Sequence, residues 1–392
     1  MKHWPVSATI ALLLGFCAFI LTVWIVLPAP HHLVWQLAVG ASEWGLWFAA
    51  MGLAGMALGI ASQRLRRSTA AVCAMVLGAC AAGLGAYPLV SALQVASTNE
   101  VPLSLARYLW GVLDKPKGAA PQTVIYHQVA GQALQLDVFL PAPGKQGARP
   151  AVIVVHGGGW DSGDKSDFPD WNHWLNQNGY VVFDIQYRLY PQPNWQTATA
   201  DVKCAVAWVS KNAALYGVDP DRLALLGRSA GGHLALLAAY TEGVAELPSG
   251  CPGPAGGGTA VRAAVGFYAP VDMLWDYDNP ANQQVLDGPA TLRRLLGGTP
   301  QSAAGPYTSA SPIRHVQART PPTLLVQSGT DQLVRVENMQ RLAQVLSDAR
   351  VRHRSLLIPY AQHGFDYNFN GWGSQIVQPV LLQFLGEHLQ PR

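Results

Sequence analysis

The stretch LALLGRSAGGHLALLAAY, residues 223–240, decides the fold of this chain. Four apolar residues precede Gly227-Arg228-Ser229-Ala230-Gly231, and a segment rich in alanine and leucine follows it. The short run predicts a buried strand and the longer one a helix. A serine at a sharp turn from strand to helix is exposed above the sheet, and flanking glycines permit that turn. The pattern therefore predicts Ser229 as a nucleophile, with an ordinary glycine-rich turn as the alternative.

The sequence around this stretch alternates between short apolar runs and helical patterns. Continuous apolar strands separated by helices predict a mostly parallel sheet with helices on both faces. Reactive groups of such sheets gather at the C-terminal ends of the strands. The strands are predicted at residues 151–155, 180–185, 223–226, 263–268, 323–326 and 355–358, and the helices at 201–212, 234–240, 337–346 and 376–389.

A second glycine-rich motif, His156-Gly157-Gly158-Gly159-Trp160, directly follows the predicted strand at 151–155. When a nucleophile attacks an acyl group, negative charge develops on the carbonyl oxygen, and backbone N–H groups of glycines can point at it. We therefore predict the amides of Gly157 and Gly158 as donors of an oxyanion hole, completed by the amide of Ala230. A flexible glycine loop is the alternative.

A serine nucleophile needs a base and an acid that orients the base, and two residues at predicted strand ends fit these roles. Asp331 follows the strand at 323–326, and His363 follows the strand at 355–358. The chain order Ser, Asp, His is the order expected for this topology. His363 would take the serine proton, and Asp331 would hold the imidazole in the required tautomer. The remaining alternatives are His233 and His315 for the base, and Asp272 and Asp366 for the acid.

The first part of the chain has a different character. Of the 392 residues, 50% are hydrophobic and only 12% are charged, which indicates contact with lipid. Uncharged runs at about 6–27, 44–62 and 70–90 are long enough to cross a hydrocarbon core as helices. We predict a transmembrane anchor at 1–95, a linker or cap segment at 96–120 and a catalytic domain at 121–392. A cleaved signal peptide is the alternative for the first run.

Basic residues predict the orientation of this anchor. Lys2 and the cluster of Arg64, Arg66 and Arg67 should remain in the cytoplasm. Three crossings from an inside N-terminus would then leave everything after residue 95 outside. Small residues at Gly52, Gly55, Gly59, Ala74 and Gly78 are spaced so that helix backbones can approach closely.

Other features limit the partners of the exterior domain. A net charge of +3 gives no basic field for nucleic acid, and the oligomeric state stays open. Cys204 and Cys251 are the two exterior cysteines, and a disulfide between them is as well supported as a buried free thiol. Residues 98–117 and 272–311 lie outside the strand pattern and are predicted to cap Ser229.

Taken together, the motifs resemble those of the hormone-sensitive-lipase-like carboxylesterases, in the branch of feruloyl-esterase-like and prenylcysteine-methylesterase-like enzymes. The resemblance covers about residues 120–392 and is carried by HGGGW at 156–160, YRL at 187–189, DPDR at 219–222, GRSAGGHLA at 227–235, YAPVDM at 268–273, GTDQLV at 329–334 and HGF at 363–365. Arg228 departs from the family pattern, in which many relatives carry an acidic or small residue before the serine.

The resemblance implies an α/β-hydrolase fold for about residues 120–392. The three transmembrane helices predicted before it lie outside the resemblance. It also implies an esterase or lipase that needs neither metal nor cofactor. The expected substrate is a small-molecule or lipidic ester, cleaved at the extracytoplasmic face of a membrane. Two further functions remain open at this point: an acyltransferase or deacetylase acting on envelope lipids or glycans, and a catalytically silent membrane scaffold.

Overall fold

The computed structural model describes residues 6–113, 115–141, 147–189, 193–251 and 261–391. Its strands are β1 (Gln122–Val129), β2 (Gln132–Phe139), β3 (Arg149–Val155), β4 (Val181–Ile185), β5 (Val218–Arg228), β6 (Ala263–Phe267), β7 (Thr323–Ser328) and β8 (His353–Ile358). Its helices are α1 (Val6–Thr22), α2 (His32–Glu43), α3 (Gly45–Leu65), α4 (Thr69–Thr98), α5 (Leu105–Trp110), α6 (Pro169–Gln177), α7 (Trp195–Lys211), α8 (Ala230–Tyr240), α9 (Met273–Asp278), α10 (Gly288–Leu296), α11 (Ala304–Ser309), α12 (Glu337–Asp348) and α13 (Trp372–His388).

Within these residues eight strands form one sheet, in the order β1-β2-β4-β3-β5-β6-β7-β8. The pairs from β4 through β3 to β8 are parallel, whereas β1 pairs with β2 and β2 with β4 in antiparallel fashion. The mostly parallel sheet predicted from the sequence is therefore confirmed, and its six predicted strands correspond to β3 to β8. The antiparallel hairpin β1-β2 at the sheet edge was not predicted.

Both faces of the sheet are covered, which explains why its inner strands are apolar on both sides. Ala151, Ile153 and Val155 of β3 belong to a core cluster shared with α7, α8 and α12. Val152 and Val154 of the same strand point the other way, into a cluster shared with α6 and α13. Because side chains alternate along a strand, each face of β3 carries its own apolar row. The sheet is thus held between two helical layers.

Three helices in the described part of the chain are long and apolar enough to cross a membrane: Val6–Ile25, Gly45–Leu65 and Thr69–Thr98. They pack closely where the sequence has small residues. A methyl group at Gly52 would lie 2.7 Å from the Gly78 carbonyl oxygen, and one at Gly55 would lie 2.7 Å from the Gly15 amide nitrogen. Larger side chains at these points would force the helices apart.

The N-terminal helices and the sheet domain share packing. Helix α4 runs past the predicted boundary at residue 95, and its Ala92 and Ala96 join the core cluster of α6 and α13. The amide of Leu46 in α3 donates to the hydroxyl of Tyr108 at 3.2 Å. Between the first two spans lies α2, which was not predicted. Lys2, one basis of the predicted orientation, lies outside the described residues.

Residues 98–117 were predicted as a possible cap over Ser229, but they lie elsewhere. The amide of Ser104 donates to Gln375 Oε1 at 2.7 Å, and Arg107 Nη2 donates to Gln378 Oε1 at 2.8 Å. Both partners belong to α13, on the side of the sheet domain where α4 also packs. This segment therefore joins the anchor to α13, and its described residues do not line the cavity above Ser229.

Cys204 and Cys251 form a disulfide, which resolves the alternative left open by the sequence. The bridge connects α7 to the segment after α8. Among the described residues, the one group of side chains close enough to hold a metal ion is His127, Cys204 and Cys251. Both sulfur atoms of that group are already bonded to each other, so the oxidised protein has no thiolate ligands there.

Removal of this disulfide is expected to destabilise the sheet domain. The bridge closes a separation of 47 residues, and it limits the freedom of the unfolded chain. We expect the double variant Cys204→Ala/Cys251→Ala to lose about 2–4 kcal/mol of unfolding free energy. Chemical denaturation of the detergent-solubilised protein measures this, with Cys73→Ala in the second half of the anchor as control. Equal midpoints for both variants would show that the bridge does not stabilise the fold.

Candidate active site

Ser229 occupies the turn between β5 and α8. Its backbone has φ 53° and ψ −122°, a conformation that non-glycine residues rarely adopt. The Ser229 amide donates to the carbonyl of Phe267 at 2.9 Å, which ties the turn to β6. Any side chain at Gly227 would collide with the Gly231 carbonyl, and one at Gly231 would collide with the backbone of His156. The two glycines therefore allow the strained turn that holds Ser229 at the C-terminal edge of the sheet.

The structure brings the three residues predicted as a triad into one hydrogen-bonded chain. His363 Nε2 lies 2.8 Å from Ser229 Oγ, and His363 Nδ1 lies 2.8 Å from Asp331 Oδ2. A carboxylate can only accept here, so Nδ1 carries the proton and the Nε2 lone pair faces the serine hydroxyl. Each residue follows a different strand, β5, β7 or β8, and adjacent parallel strands end at the same edge.

The carboxylate of Asp331 is fully buried and well supplied with donors. Its Oδ1 accepts hydrogen bonds from the amides of Leu333 and Val334, at 2.8 and 2.9 Å. Its Oδ2 accepts from His363 and, at 3.4 Å, from Gln327 Nε2. Oδ1 is therefore bound by backbone amides, and Oδ2 faces the imidazole of His363. The orientation of Asp331 is thus fixed by the turn that follows β7.

The alternative bases and acids lie in other networks. His315 Nε2 contacts the Ser309 carbonyl at 2.8 Å. Asp272 caps α9 and pairs with Arg341 at 2.6 Å. Asp366 pairs with Arg228, and its Oδ1 accepts from the hydroxyl of Tyr268 at 2.5 Å. Asp331 is therefore the acid that reaches His363.

His233, the other alternative base, supports the loop of the second motif. Trp160 Nε1 donates to His233 Nδ1 at 3.1 Å, and His233 Nε2 donates to the Ala310 carbonyl at 2.7 Å. Burial lowers the pKa of His233 to about 4, so its ring is neutral and has both nitrogens engaged. His233 thereby fixes Trp160, whose φ of 65° turns the chain sharply after the glycines. No sequence pattern indicated the pairing of His233 with Trp160.

The glycine loop 156–159 lies against the serine. A methyl group at Gly157 would be 3.4 Å from Ser229 Cβ, and Gly158 has φ 111°, which favours glycine. The His156 ring stacks on Tyr187 at 4.4 Å, and burial lowers the pKa of His156. Among the described residues, the amides of Gly157 and Gly158 have no hydrogen-bond partner. They remain available, next to the start of α8 at Ala230, for an oxygen atom bound beside Ser229.

A cavity of about 410 Å³ opens above Ser229. As predicted, the insertion 272–311 supplies one wall, and burial raises the pKa of its Asp276 to about 7. Helix α2 of the anchor supplies another wall, which the sequence did not indicate. The lining includes His32, Trp35, Gly157, Gly158, Trp160, Phe168, Ser229, Tyr268, Asp276, Leu286, Leu292, Leu333, Val334 and His363.

Arg228, the departure from the family pattern, is buried beneath this cavity with 2% of its side chain exposed. Its Nε donates to Asp366 Oδ2 at 2.6 Å, and its guanidinium lies 4.2 Å from the centre of the Phe168 ring. Burial raises the pKa of Tyr268 well above its usual value, so its neutral hydroxyl donates to Asp366. The Tyr268 ring also lies 4.3 Å from that of His363. Arg228 thus fixes Asp366, which in turn holds the Tyr268 ring against His363.

Loss of the Arg228 charge is expected to destabilise the protein strongly, because Asp366 would stay buried without its cation. We expect Arg228→Met to cost about 3–5 kcal/mol of unfolding free energy. The matched control is Arg294→Met, which breaks a half-exposed ion pair with Asp161 and should cost less than about 1 kcal/mol. Denaturation midpoints in detergent compare the two, and similar losses would rule out a special role for the buried pair.

The fold and the arrangement of Ser229, His363 and Asp331 define the α/β-hydrolase class of proteins. Residues 136–346, more than half of the chain, match the BD-FAE family, and the chain belongs to that family. This agrees with the resemblance to hormone-sensitive-lipase-like carboxylesterases that the motifs predict, which is thereby confirmed.

Individual relatives carry esterase names. The chain is 34% identical over 246 residues to the probable carboxylic ester hydrolase LipM of Mycobacterium tuberculosis, covering 60% of this chain and 54% of the relative. It is 32% identical over 274 residues to esterase LipQ of the same organism, covering 68% and 62%. The chain thus spans less than two thirds of the length of these curated relatives.

Solved structures of similar architecture cover the sheet domain. The apo form of Thermogutta terrifontis esterase 2 superposes with a TM-score of 0.57 at 26% identity, covering 71% of this chain and 98% of that enzyme. The same esterase has been solved with propionate bound, at a TM-score of 0.56 and 26% identity, covering 70% and 97%.

Proposed function

We propose that this chain is a carboxylic ester hydrolase that works through an acyl-enzyme on Ser229. The observation that carries the proposal is the continuous chain of 2.8 Å contacts from Ser229 Oγ through His363 to Asp331 Oδ2. A serine hydroxyl is a weak nucleophile until a base removes its proton. His363 is placed to do so, and the buried carboxylate of Asp331 stabilises the imidazolium that forms.

In the first half of the reaction, Ser229 Oγ attacks the ester carbonyl carbon while His363 Nε2 takes the hydroxyl proton. The carbonyl oxygen becomes an oxyanion, for which the amides of Gly157, Gly158 and Ala230 are the proposed donors. The tetrahedral intermediate then collapses, the bond to the alcohol oxygen breaks, and His363 gives its proton to the leaving alcohol. Serine now carries the acyl group as an ester.

In the second half, His363 takes a proton from water, whose oxygen attacks the acyl carbon. The bond to Ser229 Oγ breaks, the proton returns to serine, and the carboxylic acid leaves. Apart from the water, the groups that act in both halves come from this chain. Gly157, Gly158 and His363 line the cavity, Ala230 follows Ser229, and Asp331 lies behind His363.

The relatives support the reaction class. LipM is named a probable carboxylic ester hydrolase and LipQ an esterase. Thermogutta terrifontis esterase 2 has been solved with propionate bound and also phosphonylated by sarin, the latter at 25% identity and covering 99% of that enzyme. We transfer to this chain the expectation that a carboxylic acid fits beside the serine and that an organophosphorus reagent reacts there.

We further propose that residues 121–392 work outside the cytoplasmic membrane, held by an anchor at residues 1–95. The exposed Arg64, Arg66 and Arg67 lie where α3 ends, at the end of the helical bundle opposite to the sheet domain. Positive residues favour the cytoplasmic side, and the disulfide favours an oxidising compartment. An alkaline phosphatase fused to the C-terminus should therefore be active in a bacterial host, and an inactive fusion would reverse the orientation.

Burst kinetics test the reaction. Rapid mixing of the detergent-solubilised full chain with p-nitrophenyl acetate should release about one equivalent of p-nitrophenol per enzyme before the steady state, if deacylation is the slower half. Covalent acetylation of the protein, read by intact mass after an acid quench, checks the same intermediate when the burst is too fast to see. A burst or an acetylated species of the same size in folded Ser229→Ala would refute the acyl-enzyme on Ser229.

A further inference from the structure

Helix α2, between the first two spans, forms part of the wall of the active-site cavity. Its His32 and Trp35 line the cavity together with Ser229 and His363. The two α2 rings contact each other, with centroids 5.0 Å apart. The sheet domain by itself would therefore leave this side of the cavity open.

The loop that leads into α2 is tied to both loops that carry the triad partners of Ser229. The amide of Ala29 donates to Gln332 Oε1 at 2.7 Å, and Gln332 Nε2 donates to Gln362 Oε1 at 3.2 Å. Gln332 follows Asp331, and Gln362 precedes His363. From the insertion, Asn282 Nδ2 donates to both the Ala29 carbonyl and Gln332 Oε1, at 2.6 and 2.9 Å. This network fixes the position of α2 relative to the loops that carry Asp331 and His363.

The opposite face of α2 is apolar and uncovered. Leu33 is 67% exposed and Leu37 is 48% exposed, one helical turn apart. At the start of α3, Trp47 meets Trp110 of α5 edge to face at 6.1 Å, and both side chains are partly exposed. Exposed leucines on a helix between two spans, with tryptophans at the same end of the bundle, are typical of the membrane–water interface. With its leucines in that interface, α2 would lie between the cavity and the headgroup region.

Five of the side chains that line the cavity form its apolar wall: Trp35 of α2, Leu286 and Leu292 of the insertion, and Leu333 and Val334 after Asp331. We propose that this wall binds the hydrocarbon chain of a lipid ester, which enters from the membrane surface beside α2. The proposal rests on the ester hydrolase function and names its substrate class. Each methylene that leaves water for such a wall should strengthen binding about fourfold.

The test compares p-nitrophenyl dodecanoate with p-nitrophenyl acetate on the full chain in one detergent. The wild type should have the higher kcat/KM for dodecanoate. In Trp35→Ala the ratio of the two kcat/KM values should fall about tenfold, because a large apolar contact to the chain is lost. Trp35→Phe should restore most of the ratio. Leu37→Ala, on the outer face of the same helix, is the matched control and should keep the wild-type ratio.

Three results would overturn the lipid-ester assignment: a wild-type preference for acetate, an unchanged ratio in Trp35→Ala, or an equal fall in Leu37→Ala. The wild-type comparison decides the question even if Trp35→Ala fails to fold. Failure of the ester hydrolase function itself looks different, because the wild type would then hydrolyse neither ester.

Discussion

Ser229→Ala is expected to lower kcat for ester hydrolysis by roughly 10⁶-fold, with little change in KM. The hydroxyl that His363 Nε2 contacts at 2.8 Å would be gone, so no acyl-enzyme could form. The oxyanion donors and the cavity would remain, and they would leave a small residual rate. Steady-state hydrolysis of p-nitrophenyl acetate by the purified full chain measures the effect.

The matched control is Ser347→Ala, on the exposed surface of α12 and outside the cavity. It should retain wild-type kcat, which separates loss of the nucleophile from effects of purification or detergent. Equal thermal unfolding midpoints for both variants would show that each is folded. A folded Ser229→Ala with more than about a hundredth of wild-type activity would exclude Ser229 as the nucleophile, since removal of such a group costs far more.

Asp331→Asn should lower kcat by about 10⁴-fold, for a reason that lies in the tautomer of His363. The amides of Leu333 and Val334 donate to Oδ1, so an asparagine at this position would keep its carbonyl oxygen there. Its NH₂ group would then face His363 Nδ1, which must become an acceptor. The proton moves to Nε2, and the ring can no longer take the proton of Ser229.

Steady-state kcat and KM of Asp331→Asn give the measurement, and Asp348→Asn at the exposed end of α12 is its control. We expect KM to stay within about threefold of wild type, because Asp331 orients the base and does not line the cavity. A fall in activity that appears only as a higher KM would contradict an orienting role. It would place Asp331 in substrate binding.

Much of the sheet was predictable because its inner strands are covered on both faces. A strand such as β3, with no polar residue from Ala151 to Val155, stands out as a continuous apolar run. The edge hairpin β1-β2 was missed because its apolar residues do not form a continuous run. Only alternate residues of β2, Leu134, Leu136 and Val138, point into the core cluster shared with α7, α8 and α12. Ala130 and Gly131 both have positive φ in the turn, but only the glycine marks such a turn in the sequence, because alanine rarely adopts this conformation.

The N-terminal helices show a different limit of prediction from sequence. Three helices that are long and apolar enough to cross a membrane were predictable from length and composition alone. Helix α2 was missed because its 12 residues are too few to span and carry no strong polar face. Its place at the cavity depends on Ala29 meeting Gln332, residues that are 303 positions apart. Such a contact has no local signature.

The catalytic candidates were predictable because the chemistry fixes both residue type and chain order. Ser229, Asp331 and His363 each follow an apolar strand, and parallel strands bring such ends together. The residues that hold them were not predictable. Asp366 meets Arg228 and Tyr268 only once the sheet is assembled, because these residues come from β5, from the end of β6 and from the segment after β8. Residues 98–117 were left open as a linker or a cap, because nothing in their sequence distinguishes contact with α13 from contact with the cavity.

The most direct test of the central claim is covalent labelling of the full chain in detergent with a fluorophosphonate, followed by peptide mapping. An activated serine should take up one phosphonyl group, located on Ser229, within minutes. Ser229→Ala should take up none, and Ser347→Ala should label as the wild type does. Equal labelling of the wild type and Ser229→Ala, or a folded wild type that is not labelled at all, would contradict the assignment of Ser229 as an activated nucleophile.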